Sequence, residues 1–148
     1  MATAKDIMTT NVITVKKGTL IKELSRLFIE HNVNGVPVVN DAGKVIGVVT
    51  QTDLVEQNKN LHIPTVIALF DAVLFLESEK TFEAEAKRLA GTKVEDIFNP
   101  KAVTVSPDTE LSEIASIMSE KKVHTLPVVD GEALVGIIGK LDVIRGMA

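Results

Sequence analysis

The chain of 148 residues has no cysteine, no tryptophan and no tyrosine. Without cysteine there is no disulfide, no thiol nucleophile and no thiolate metal site, and the composition suits a reducing compartment. Aromatic residues make up 3%, all of them phenylalanine, too few for a base-stacking platform. Excess positive charge is also missing. Sixteen basic residues against twenty acidic ones give a net charge of −4, the wrong sign for a protein that grips nucleic acid by neutralising phosphates. No apolar run approaches the ~20 residues that a membrane span requires. The first six residues, Met1 to Asp6, lack the apolar stretch of a secretory signal. These absences predict a cytoplasmic domain with no membrane span and no nucleic-acid partner.

Enzyme signatures are absent as well. There is no phosphate-binding G-x-x-x-x-G-K-[ST] loop, no G-x-G-x-x-G and no H-E-x-x-H. His31, His62 and His124 are far apart in sequence, and no two have the spacing of helical metal ligands. No serine stands in a nucleophile elbow. The expectation is a protein that is not an enzyme and has no metal site.

Apolar residues are plentiful, at 45%, enough for a core. The chain also repeats itself. Asp6-Ile7 returns as Asp96-Ile97, Thr14-Val15 as Thr104-Val105, and Pro37-Val38-Val39 as Pro127-Val128-Val129, each pair 90 positions apart. Gly47 and Asp53 return 89 positions on, as Gly136 and Asp142, so one residue is lost in the intervening turn. Such a period is longer than that of solenoid repeats and points to a pseudo-symmetric pair.

Each copy reads the same way. Val12–Val15 is extended. Thr19 is a candidate helix cap, with Thr109 its counterpart, although neither box carries a carboxylate at the fourth position. Leu20, Ile21, Leu24, Leu27 and Phe28 follow at helical spacing, matched by Leu111, Ile114, Ala115 and Met118. Val36–Val39 and Val45–Val49 are strands about a turn at Asn40-Asp41-Ala42-Gly43, and a short helix starts near Thr50. The fold class is therefore α/β (α+β), a β-α-β-β-α unit twice over. Neither copy is large enough to stand comfortably alone. Repeat 1 is expected over residues 1–59, a helical insert over 60–95 and repeat 2 over 96–148. In the insert, Ile63, Val66, Ile67, Phe70, Val73 and Leu74 form an apolar stripe, with Leu69, Phe75 and Leu76 off it. That stripe suits either a helix bridging the copies or a subunit interface. A second, polar helix is expected over about Phe82–Ala90.

One constellation could carry chemistry. Gly47-Val48-Val49-Thr50-Gln51-Thr52-Asp53 runs from strand into helix, and Gly136-Ile137-Ile138-Gly139-Lys140-Leu141-Asp142 echoes it. A carboxylate at such a junction can accept both hydrogen bonds of a ribose diol. Thr50-x-x-Asp53 is equally a plain capping box. In the echo Gly139 has no hydroxyl while Asp142 is kept, which favours a second task for the carboxylate.

In these motifs the chain resembles the CBS-domain family, named for cystathionine β-synthase. The resemblance rests on Asp6-Ile7-Met8 and Asp96-Ile97-Phe98, on Asn34-Gly35-Val36-Pro37-Val38-Val39 and His124-Thr125-Leu126-Pro127-Val128-Val129-Asp130, and on the two Gly-to-Asp junctions. It implies two repeats packed as a pseudo-twofold pair, usually assembled into a homodimer. It further implies a regulatory module that senses energy or metabolic state through AMP, ADP, ATP or S-adenosylmethionine bound between the repeats, and that reports to a regulated protein.

Carried over by position, the resemblance implies a first cleft in which Asp53 holds the ribose, with Thr50 and Thr52 beside it. Val48, Val103 and Val123 would bracket the adenine, and His124 and Lys140 would face phosphate. In the second cleft Asp142 would take the ribose and Ile13 and Ile137 the base. There Gly139 replaces a hydroxyl residue and Asn34 stands where a basic one would help, so the second cleft is expected to be weak or empty. With few cations expected, and no arginine at the place where many nucleotide-binding relatives carry one, AMP is favoured over ATP. The alternative is a ligand-free interaction module acting through the insert helix. A third reading is a magnesium-linked regulator using isolated carboxylates such as Asp6, Asp41, Asp71 and Asp130.

Overall fold

A computed structural model describes residues 2–57 and 91–148. The insert helices and their apolar stripe, as expected from sequence, lie outside the described residues. The elements in chain order are α1 (Ala4–Ile7), α2 (Ile21–His31), β1 (Gly35–Val39), β2 (Val45–Thr50) and α3 (Gln51–Gln57). A 3-10 turn (Val94–Asp96), α4 (Leu111–Lys121), β3 (Thr125–Asp130), β4 (Ala133–Gly139) and α5 (Lys140–Met147) follow.

The strands are short and rich in valine and isoleucine, whose branched side chains fit a pleated, half-buried surface. β1 pairs antiparallel with β2, and β3 with β4, each pair broken by an irregularity at equivalent places, Val38/Val39 and Val128/Val129. Proline within each strand is tolerated because its missing N–H falls on the side away from the hairpin partner, where only a single bridge is made among the described residues. Pro37 accepts the Val15 N–H at 3.1 Å, and Pro127 accepts that of Val105 at 3.1 Å. Val15 and Val105 thereby add a parallel bridge to each hairpin.

The opening segments are exchanged between the repeats. Thr9 pairs with Ile137 on β4, through N–H···O bonds of 2.8 and 2.9 Å, and Asn99 pairs with Val48 on β2 at 3.0 and 2.9 Å. Ala4 is fully buried among Val105, Ile114, Leu126, Val128 and Ile138 of the second repeat, with Ile7 and Met8 packed beside it. Val94, Ile97 and Phe98 join Val15, Ile21, Leu24, Phe28, Val36 and Val49 of the first. Each half-sized core is thus completed by a few residues from the start of the other copy. At ~1.5–3 kcal/mol per fully buried aliphatic side chain, these loans matter to units this small.

The helix starts differ from the sequence expectation. Leu20, not Thr19, is the N-cap of α2, and Glu110, not Thr109, that of α4. The threonine hydroxyls face the other way: Thr19 Oγ1 accepts the Lys16 N–H and Thr109 Oγ1 the Ser106 N–H, both at 3.1 Å. Each closes the preceding turn, a competing use of the hydroxyl that short polar side chains readily adopt.

Candidate functional site: two clefts between the repeats

Gly35 on β1 lies against Thr125 on β3, where an added Cβ would sit 2.8 Å from the threonine hydroxyl. This close approach brings the two hairpins together and leaves a cleft on either side of the seam.

The first cleft is a cavity of about 680 Å³, within the ~300–1,000 Å³ common for small-molecule sites. All eight residues assigned to it from sequence line it: Val48, Thr50, Thr52, Asp53, Val103, Val123, His124 and Lys140. The repeat exchange brings Asn99 to the same wall. Val48 is buried, while Val103 and Val123 are half-buried and also pack on the second core. Together they give an apolar wall beside polar groups.

The capping box at this cleft is real. Asp53 Oδ2 accepts the Thr50 N–H at 2.9 Å, and Thr50 Oγ1 accepts the Asp53 N–H at 3.1 Å. Asp53 is half-buried, and its Oδ1 accepts no hydrogen bond from the described residues. Capping therefore uses one carboxylate oxygen of this lining residue and leaves the other without a partner among the described residues. Gln51 fixes the junction from behind, its backbone N–H donating to Asn34 O at 2.9 Å and its side-chain amide to Val33 O at 2.6 Å.

The electrostatics correct the sequence expectation of few cations. Lys101, Lys121 and Lys122 line the first cleft in addition to Lys140 and His124, and Asp53 is the only carboxylate among the described lining residues. Lys122 has φ of +54° and ends α4, a left-handed position that ordinarily favours glycine or asparagine. The matching residue of repeat 1 is Asn32, at φ +50°. No sequence motif announced the collar, because its lysines come from three separate stretches.

The second cleft is smaller, about 210 Å³. Ile13, Asn34, Ile137, Gly139 and Asp142 line it as expected, and His124 and Lys140 reach both clefts. An arginine that the sequence reading did not single out also lines it: Arg145. Asp142 is buried, and its Oδ2 accepts the Gly139 N–H at 2.8 Å. The carboxylate therefore keeps the backbone half of the capping box, the half that needs no hydroxyl at Gly139. Its Oδ1 accepts from the Thr9 hydroxyl at 3.3 Å and from the Arg145 guanidinium.

Of the carboxylates considered for a cation, Asp6 caps Thr3 and Asp41 pairs with Lys16 at 3.2 Å. Asp71 lies outside the described residues, and among those described no three acidic or histidine side chains come together. No described helix is long and apolar enough to cross a membrane.

A family model described as CBS domain matches residues 4–60 and 94–148. The chain is 31% identical over 152 residues to MJ1426 of Methanocaldococcus jannaschii, covering 97% of this chain and 89% of that protein. It is 32% identical over 143 residues to the chloroplastic CBS domain-containing protein CBSX1 of Arabidopsis thaliana, covering 88% of this chain but only 57% of that one. The crystal structure of CBSX2 in complex with AMP superposes with a TM-score of 0.71 at 28% identity, covering 99% of this chain and 97% of that one.

Proposed function

This chain belongs to the CBS-domain family, and from that premise we propose that it is a regulatory module that binds an adenosine nucleotide in its first cleft. The carrying observation is the convergence there of an apolar wall, a carboxylate with one unused oxygen and a collar of cations. The valines accept the base, Asp53 Oδ1 accepts the ribose diol, and the lysines and His124 face the phosphates. AMP in the crystal structure of CBSX2 supports the ligand class. The collar removes the objection to ADP and ATP, since lysine neutralises phosphate as a point charge. S-adenosylmethionine, itself a cation, suits this cleft less. The role is one of binding and reporting to a partner, not of catalysis.

Ligand binding stabilises the folded state by mass action and ties β2 of one repeat to the α4–β3 turn of the other. Val55 on α3 and Ile144 on α5 hold equivalent positions and are 70% and 60% exposed, which supports pairing with a second copy. Light scattering after size exclusion tests that pairing, and a monomer at micromolar concentration defeats it. Calorimetry with adenosine, AMP, ADP and ATP tests the ligand reading. Silence from all four at millimolar concentration defeats it. Asp53→Ala should lose most of the affinity, and normal binding by this variant overturns the ribose assignment.

A further inference from the structure

The two clefts are built from equivalent junctions, yet their carboxylates stand in different states. Asp53 has one oxygen without a hydrogen bond among the described residues, whereas Asp142 has both engaged. The difference traces to two substitutions between the repeats. Where Arg145 follows Asp142 by three positions, Glu56 follows Asp53. Where Thr9 lies across β4, Asn99 lies across β2. On a helix the third residue on falls on the same face, so Arg145 returns to Asp142, while Glu56 has no attraction for Asp53.

We propose that Arg145 closes the second cleft by holding the Asp142 carboxylate, so that each chain takes one nucleotide instead of two. This inference rests on the reading of the clefts as adenosine sites. A diol that enters the second cleft must displace either the guanidinium or the Thr9 hydroxyl from Oδ1, whereas in the first cleft it meets an unengaged oxygen. The geometry agrees with the volumes: about 210 Å³ at the second cleft against about 680 Å³ at the first. Arg145 acts here as a specificity-determining residue through occupancy of the carboxylate. The Arg145 side chain as a whole is largely exposed, at 66% against 8% for Asp142, so its removal disturbs little of the core.

The test is calorimetric stoichiometry with AMP. Wild type should bind one equivalent per chain. Arg145→Ala should bind a second, its affinity raised about tenfold over any trace in wild type, the worth of one charge-assisted hydrogen bond. Placing Asp53→Ala in the same chain should leave that new equivalent alone, and Asp142→Ala should abolish it. In the opposite direction, Glu56→Arg should weaken the first site about tenfold by installing the same plug. Two equivalents in wild type, no second equivalent in Arg145→Ala, or an unaltered first site in Glu56→Arg overturns the proposal. If wild type binds none and Arg145→Ala binds one, the plug is upheld and the first-cleft reading falls. If neither binds, both fall.

Discussion

Gly47 lies beneath Phe98, so close that a Cβ on this glycine would overlap both the phenyl ring and the carbonyl oxygen of Asn99. Gly136 stands in the same relation to the Met8 side chain. These glycines are the sockets into which each repeat receives the opening segment of the other. Their shared demand is the close approach of a neighbour, since neither has a positive φ. The ladder of Asn99 on Val48, and hence one wall of the first cleft, depends on position 47 carrying no side chain.

Gly47→Ala is therefore expected to lower stability by ~1–3 kcal/mol, the range for inserting a methyl group into filled space. For a chain of this size that corresponds to a fall of roughly 2–4 °C in Tm per kcal/mol. The matched control is Gly18→Ala, where nothing lies within 4 Å of the new Cβ and little change is expected. Thermal melts of both variants check this, and equal melting temperatures would remove the steric argument for the socket.

Gly139 presents the opposite case. A Cβ there would find its nearest neighbours at 3.8 Å from Asp142 Oδ2 and 4.0 Å from His124 O. Its backbone is extended, with φ −107° and ψ 177°, which any residue adopts. Gly139→Thr supplies the missing hydroxyl of the second capping box, so it should stabilise the fold by ~0.5–1 kcal/mol through the cap and a stiffer unfolded chain. A rise in Tm is the expected reading, and a fall would show that the hydroxyl has no room to reach the Asp142 N–H.

Asp6 gives a dependence on pH. The Thr3 N–H and the Thr3 hydroxyl donate to its Oδ2 at 2.9 and 3.0 Å. The backbone hydrogen bond, followed by that of the hydroxyl, holds its pKa below the ordinary 3.8. A carboxylate depressed in the folded state contributes stability that is present above its unfolded value and disappears as pH falls through the folded one. The stability gap between wild type and Asp6→Asn should thus be constant above about pH 5 and close on acidification toward pH 2. Denaturant melts across that range check it, and a gap that widens in acid contradicts the assignment.

Much of this molecule was legible in the sequence because its signals are local and doubled. The two Pro-Val-Val strands, the Gly-to-Asp junctions and the helical stripe from Ile21 to Phe28 each follow from periodicity within ten residues or so, and each has an echo. The same doubling placed Asp53 and Asp142 at equivalent junctions, and every residue assigned to a cleft lines it. What escaped depends on distance in the chain. Lys101, Lys121 and Lys122 are ordinary surface lysines in sequence, and only the meeting of Asn99 with β2 and of the α4–β3 turn with β1 sets them around one cavity. Arg145 was visible three residues from Asp142, yet its pairing depends on the helix α5 that turns it back. Thr19 misled because a hydroxyl near a helix start can close a turn behind it as readily as cap the helix ahead.

The lysine collar yields the most direct test of what the first cleft recognises. Four lysines and His124 face a cavity with Asp53 as its one described carboxylate. Each phosphate added to the ligand gains attraction from this collar without meeting a compensating repulsion. Affinity should therefore climb from adenosine through AMP and ADP to ATP, by several-fold per phosphate at low salt. The climb should flatten as ionic strength rises, since the lysines are exposed and the Debye length shrinks to ~8 Å near 0.15 M. Lys121→Gln combined with Lys122→Gln should compress the ladder while leaving adenosine binding nearly unchanged, because neither side chain is needed for the base or the diol. Lys122→Gly separates charge from backbone: it relieves the left-handed position and should raise Tm while still lowering ATP affinity. Equal affinities for AMP and ATP at 20 mM salt, or a double glutamine variant that loses adenosine as steeply as ATP, would show that the cations stand beside the ligand without engaging its phosphates.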